Sequence, residues 1–189
     1  MSSPAPDAGV RAARPSDARE LGRVQARAWA AAYRDLLPAA PDEAQLAEAW
    51  AAAVSDPPSP RHRVLVATAG DRVVGFAALA PSGDADAGDP TDVGPTDVEL
   101  LVLLVDPQDV GRGHGSRLLN ASADVLAGSG ARRLRAWVPE PDADRRRFLA
   151  GAGFAEDGAT RVLDTSGDGS TVLREVRLTV VLPDPEPRS

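Results

Sequence analysis

The spacing of apolar positions changes twice along this chain. Across residues 18–33, Leu21, Val24, Ala28, Trp29 and Ala32 recur at three- to four-residue intervals, which predicts a helix with one apolar face. Pro15-Ser16-Asp17 precedes it, with Ser16 or Asp17 as the N-cap. Asp42 opens a second helical stretch through Glu43, Leu46, Ala49, Trp50 and Ala53, which ends before Asp56-Pro57-Pro58. The pattern then becomes strand-like. Residues 10–13 already suit a short strand, and residues 63–68 and 72–80 form two β-type runs around Gly70-Asp71, the turn chemistry of a hairpin. Residues 81–97 are rich in Gly, Pro and Asp and predict an exposed loop. Leu100 to Val105 are unbroken apolar residues after Glu99, which predicts a strand buried on both faces at the centre of a sheet.

The second half alternates. A helix is expected over residues 115–127, with Leu118, Leu119, Ala123, Val125 and Leu126 inward and Gly128-Ser129-Gly130 as its end. A strand over 134–138 stops at Pro139 and Pro141, and a short helix over 145–152 closes at Gly153. After Phe154 the last region finishes with a β-type run over 171–182. There is no internal repeat. These elements predict one α/β domain with a mixed sheet over residues 10–182, between loose tails at 1–9 and 183–189.

Composition removes several chemistries. Without cysteine there is no disulfide, thiolate metal site or Cys nucleophile. All 21 basic residues are arginine, so neither a Walker-type phosphate loop nor a Schiff-base lysine exists. A metal site on His62 and His114 would need several carboxylates besides, and none is expected. The net charge of −7 opposes binding to nucleic acid or an anionic membrane. No run approaches the roughly 18 apolar residues that span a bilayer, and the first ten residues do not read as a signal peptide. A cytoplasmic protein is expected.

The most distinctive segment is Val105-Asp106-Pro107-Gln108-Asp109-Val110-Gly111-Arg112-Gly113-His114-Gly115-Ser116. A buried strand ends, glycines follow at alternate positions, and a helix begins. Such glycines let the backbone approach a bulky ligand and turn successive N–H groups inward. The free amides of the helix start favour an anion, and Arg112 could add a charge-assisted bond to a pyrophosphate. The Rossmann spacing would need glycine where Ser116 stands. On turn chemistry alone, a tight strand-to-helix corner with no ligand reads equally well.

The pattern Val105-x-Pro107-x-x-x-Gly111-x-Gly113-x-Gly115 resembles the coenzyme A pyrophosphate loop of the GNAT N-acetyltransferase superfamily. Gly153-Phe154 after the short helix, Arg11 to Asp17 at the start, and Trp29-x-x-x-Tyr33-x-x-Leu36-Leu37 at the end of the first helix are similar to that family as well. The resemblance covers roughly residues 10 to 182. It implies a mixed, splayed β-sheet flanked by helices and transfer of an acetyl group from acetyl-CoA to a primary amine by direct attack, without a metal. Partners would be a small-molecule or peptide amine, with room for a homodimer.

It also implies roles for particular residues. Leu103, Leu104 and Val105 would offer backbone to the pantetheine arm. Val110, Gly111, Arg112, Gly113, His114, Gly115 and Ser116 would hold the pyrophosphate, with Asp142 and Phe148 further along the coenzyme. His114 itself reads as loop surface. Glu99 would accept the amine's proton, with Asp97 a weaker candidate, and Tyr33 is the one phenol available as an acid. One of Arg145, Arg146 and Arg147 could serve the adenosine phosphate. The family usually has Gln or Arg where Val110 stands, often Asn at Asp142, and often Tyr at Leu149. These departures leave open an acyl-CoA-binding module without turnover, and an acyltransferase using a longer acyl-CoA is a further alternative.

Overall fold

A computed structural model describes residues 8–33, 41–84, 86, 97–127, 129–165, 169 and 171–183. The elements are β1 (Ala8–Ala12), α1 (Ala18–Ala32), α2 (Glu43–Ser55), β2 (Arg63–Ala69), β3 (Arg72–Pro81), β4 (Val98–Val105), α3 (His114–Ala127), β5 (Arg133–Pro139), α4 (Ala143–Gly151), β6 (Ala155–Asp164) and β7 (Val172–Val181). The strands form one mixed sheet in the order β1-β2-β3-β4-β5-β7-β6. β4 and β5 run parallel, while the β1–β2, β2–β3, β5–β7 and β6–β7 pairs are antiparallel. The chain divides into two compact units, one on residues up to 34, 39–79 and 102–124, the other chiefly on 80–101 and 125 onward.

In the first unit the expected helices form. Asp42 caps α2 by accepting from the Ala44 and Gln45 backbone N–H groups at 2.8 and 3.2 Å, which satisfies two of the donors that every helix start leaves over. Asp17 does not cap α1. Its carboxylate is taken by a two-point contact from Arg11, at 2.7 and 2.9 Å, and by the Arg14 N–H. The apolar stripe Leu21, Val24 and Ala28 of α1 packs with Val66, Phe76, Val102 and Leu104. Trp50 of α2 meets Phe76 edge-on at 4.9 Å, and its indole N–H donates to Gln25 at 2.6 Å. Gly70, with φ of 61°, makes the expected β2–β3 hairpin turn.

The strand buried on both faces is β3, not β4. Every residue from Val73 to Ala80 is buried, whereas β4 alternates: Val98, Leu100, Val102 and Leu104 are buried, Glu99, Leu103 and Val105 half-buried, and Leu101 is 53% exposed. Small residues in β3, among them Gly75, Ala77 and Ala78, allow close approach. A Cβ on Gly75 would come within 2.7 Å of the Leu104 carbonyl oxygen. An unbroken apolar run signals hydrophobicity but not which faces are covered, which is why β4 was misread. The exposed loop expected over 81–97 is described only in part. Its described ends, Ser82 and Asp97, are buried, and Ser82 N–H bonds the Asp97 carbonyl at 2.9 Å.

The second unit contains an element the sequence pattern did not announce, β6, most of whose residues are exposed. Edge strands with one uncovered side lack the apolar alternation that marks a strand. α4 ends as the sequence suggests. Gly153 (φ 92°) takes the left-handed conformation, its N–H bonds Ala150 at 3.0 Å, and Phe154 N–H bonds Leu149 at 3.1 Å. This is a Schellman cap, with buried Phe154 and Leu149 at the positions of its hydrophobic contact. Leu36 and Leu37 lie outside the described residues. Among the described residues no helix is long and apolar enough to cross a membrane.

The closest helix contact in the first unit offers a test. A Cβ on Gly22 of α1 would lie 2.7 Å from both the Ala47 nitrogen and the Glu43 carbonyl oxygen of α2, and backbone cannot swing aside. Gly22→Ala should therefore destabilise the protein by about 1–3 kcal/mol, despite alanine's better helix propensity. A lowered urea midpoint at unchanged m-value is the expected reading; an equal or raised midpoint would mean the helices separate at no cost.

Candidate active site

The glycine corner lies in the first unit and is built on two buried aspartates. Asp106, at the end of β4, donates its N–H to the Val74 carbonyl of β3 at 2.8 Å. Its fully buried carboxylate meets Arg23 and Arg27 of α1 at 3.1 and 3.3 Å and accepts the Gln108 N–H at 3.1 Å. Asp109, also buried, bonds its N–H to the Asp106 carbonyl at 2.8 Å. Its carboxylate takes a fork from Arg72 at 2.8 and 3.1 Å and a bond from Arg112 at 2.8 Å. The Arg72 guanidinium holds the Asp109 carboxyl below the usual carboxylate range, although burial pushes the other way. Helix, strand and corner are thus fixed to one another by charge-assisted bonds before the glycines begin.

Beyond these anchors the backbone opens. Gly111 and Gly113 have φ of 76° and 80°, the left-handed region that side chains rarely adopt. The first bond of α3 runs from Arg117 N–H to the Gly113 carbonyl at 3.1 Å, which leaves the N–H groups of the first turn, His114, Gly115 and Ser116, without an intrahelical acceptor. This is a row of unsatisfied donors at the positive end of a helix. Val110 is 63% exposed, and Gly111, Arg112, Gly113 and Ser116 are exposed too.

Arg112 bonds Asp109 through Nη1 on a largely exposed side chain, and its carbonyl accepts from Arg117. One expectation here needs correction. His114 is not loop surface: it is buried as the first residue of α3, and its Nδ1 has no hydrogen-bond partner. Burial, helped by Arg117, holds the imidazole below its ordinary range, which keeps it neutral at pH 7. A glycine-rich context made the position look exposed, but a helix beginning at 114 turns the ring inward.

The remaining expected residues divide between the units. Leu104 is in the core of the first unit, with Leu103 and Val105 half-buried. The β4–β5 ladder is recorded only at Val98 with Leu134 and Glu99 with Arg135, so the backbone of Leu103 to Val105 lies past its end. Tyr33 is the half-buried C-cap of α1, its N–H bonded to Trp29 at 2.8 Å. In the second unit Asp142 is the N-cap of α4 and accepts the Arg145 N–H at 3.0 Å, a structural reason for a carboxylate there. Phe148 is half-buried on α4, while Leu149 is buried. Arg146 pairs with Glu156 at 3.2 Å, Arg147 pairs with Asp144, and buried Arg145 Nη2 has no partner.

Glu99 sits in the second unit on a charged sheet face. It is opposite Arg135 on β5; Trp137 is opposite Arg177 on β7, and Glu175 of β7 is opposite Arg161 of β6. Opposed and alternate residues project to the same side of a sheet, so these six share one face. The other face carries Leu134, Ala136, Val138, Val176 and Leu178, all buried. Arg135, 0% exposed, pairs with Asp97, with Asp86 at 2.7 Å and with Asp84 at 3.4 Å. Arg177 pairs with Asp84, Asp86 and Asp157 at 2.9, 2.8 and 2.8 Å. Asp97, the weaker proton acceptor in the sequence reading, is committed to Arg135 and to Arg133 at 3.6 Å. The Glu99 side chain has no hydrogen bond or ion pair among the described residues. Burial raises its pKa, Asp84 and Glu175 act in the same direction, and Arg161 and Arg135 oppose them.

Sequence reasoning missed this face. Its signal was present in Arg133, Arg135 and Trp137, and in Glu175, Arg177 and Thr179, where polar or aromatic residues alternate with Leu134 and Ala136 and with Val176 and Leu178.

Comparison with known proteins gives a consistent picture. The model of the acetyltransferase (GNAT) family matches residues 26–154, more than half of the chain. No curated protein sequence matches. Among solved structures, an N-acetyltransferase from Staphylococcus aureus Mu50 superposes with a TM-score of 0.69 at 16% identity, covering 94% of this chain and 99% of that one. A ribosomal-protein-alanine N-acetyltransferase from Brucella melitensis gives 0.68 at 20% identity, covering 92% and 99%. The Salmonella typhimurium protein yncA, described as an acetyltransferase and solved with its cofactor acetyl-CoA, gives 0.66 at 20% identity, covering 96% and 98%. At these identities the likeness concerns the fold. The family match extends through the glycine corner and β4, and by it the chain belongs to the acetyltransferase (GNAT) family.

Proposed function

We propose that the protein binds acetyl-CoA at the glycine corner and transfers its acetyl group to a primary amine. The observation that carries this reading is the set of first-turn N–H groups at the start of α3, His114 to Ser116, opened by left-handed Gly111 and Gly113. A pyrophosphate satisfies such donors without needing a lysine. Family membership and the acetyl-CoA held by yncA support the choice of coenzyme.

The reaction needs a neutral amine. Glu99 accepts a proton from the bound ammonium, the amine nitrogen attacks the thioester carbonyl, the C–N bond forms, the nitrogen's surplus proton passes to water, and the C–S bond breaks as the coenzyme leaves as thiolate. A free thiol has a pKa of about 8.5, so the thiolate is a workable leaving group near neutrality and takes its proton from water or from Tyr33. Glu99 suits its role because a desolvated carboxylate is a stronger base than an exposed one.

Two outcomes test the reading. Gly113→Val should weaken acetyl-CoA binding by at least about 10-fold, or about 1.4 kcal/mol, in calorimetry. The substitution strains a φ of 80° and places bulk against the pyrophosphate path; unchanged affinity in the folded variant would remove the corner from the site. Glu99→Gln should lower turnover while sparing acetyl-CoA affinity, and part of the loss should recover as pH rises and free amine accumulates. Because burial raises the folded-state pKa, the ionised carboxylate costs stability above its unfolded pKa, and stability falls as pH rises through that window. Glu99→Gln should therefore also raise the urea midpoint at pH 7. A variant equally active, or less stable, would demote Glu99 to a structural residue.

A further inference from the structure

Most of the charge buried on the second unit's sheet face is mutually satisfied. Arg135 and Arg177 gather the carboxylates of Asp84, Asp86, Asp97 and Asp157. Burying such pairs is a poor route to stability, so the groups left over carry the information. Three remain. The Glu99 side chain has no bonded partner among the described residues. Trp137 is 8% exposed, and its indole N–H, a donor only, has no acceptor. Arg161 bonds Glu175 through Nε at 2.6 Å, and its guanidinium lies 4.5 Å from the Trp137 ring centroid.

Arg161 is held in a particular way. A carboxylate fixes the Nε edge and an aromatic ring supports the plane, while among the described residues the terminal nitrogens bond nothing. An immobilised guanidinium with two parallel N–H groups to spare matches a carboxylate. Glu99 is the complementary case, a carboxylate awaiting a cation. Arg161 is the cation that acts most strongly on Glu99, yet the two form no ion pair. An unused negative and an unused positive group thus share one sheet face, with the guanidinium brought over Trp137 of β5, the strand beside Glu99, and they form no ion pair. The surplus of carboxylates on this face favours a ligand's ammonium end, and Arg161 is the guanidinium there whose terminal nitrogens make no bond among the described residues.

We propose that the acetyl acceptor is an amine that also carries a carboxylate, as an amino acid does, with its ammonium at Glu99 and its carboxylate on the terminal nitrogens of Arg161. The buried Trp137 N–H supplies a further donor for the acceptor. This inference rests on the acetyl-transfer reading and names the substrate class that reading leaves open.

The test compares amino acids with the amines made by removing their carboxylate, using saturating acetyl-CoA. Wild type should favour the carboxylate-bearing member of the best pair by about 10-fold or more in kcat/KM, the worth of one good charged contact of about 1.4 kcal/mol. Arg161→Gln should erase that preference, chiefly by raising KM for the amino acid, with acetyl-CoA affinity retained. Arg161→Lys keeps the charge but not the fork and should restore only part of it. Should the variants not fold, because Glu175 loses its partner, the wild-type preference decides alone. A wild type that prefers the decarboxylated amines overturns the inference. So does one that binds acetyl-CoA but turns over no carboxylate-bearing amine, and so does an Arg161→Gln variant that loses both members of a pair equally. A wild type that binds no acetyl-CoA would instead sink acetyl transfer itself, and the acceptor assignment with it.

Discussion

A guanidinium with no access to water sets the terms for the second unit. Arg135 stands in the middle of an apolar strand, 0% exposed, and cannot shed its proton to escape the cost of burial. It must be surrounded by carboxylates. Asp97 at the foot of β4 and Asp84 and Asp86 after β3 supply them, and those acids in turn recruit Arg177. The chain between β3 and β4 is thereby tied down at its described ends. Glu99, directly opposite Arg135 on β4, sits beside a guanidinium whose terminal nitrogens are already taken by aspartates. Its lack of a partner follows from the arrangement rather than from isolation.

The first unit solves a different problem with the same chemistry. Its corner must turn sharply out of β4 and leave amides unsatisfied, which costs free energy wherever water does not replace the missing bonds. Asp106 and Asp109 offset this from below. They draw Arg23 and Arg27 of α1 and Arg72 of β3 to the corner. Rigid support sits beneath the opening, and adaptable glycine backbone lies at its rim. Pre-organised donors of this kind lose little freedom when an anion arrives.

Much of this was legible in the sequence because it is local. Helix periodicity, the Asp42 cap, the Gly70 turn, the glycine corner and the Gly153 cap each depend on a few neighbouring residues, and each appeared where expected. What failed was non-local. Which faces of β4 are covered depends on partners far away in the chain, so Leu101 was read as buried. The roles of Arg135, Arg161 and Glu175 depend on strand order and register, which no window of sequence contains. His114 lay between: its helix was foreseen, but a one-residue change in the start decided whether the ring faced water or the interior.

One consequence follows from the kind of cation used in these anchors. Every basic side chain in the protein is a guanidinium. A lysine at 72, 135 or 177 would hold a carboxylate, but its amine, once deprotonated, would be a nucleophile of the same type as an acetyl acceptor. Acylation would cancel its charge and break the frame. Guanidinium nitrogens stay protonated and do not attack thioesters at neutral pH. The scaffold is therefore chemically inert to the group it would handle, and its ion pairs survive any concentration of activated acetyl without needing to be shielded from it.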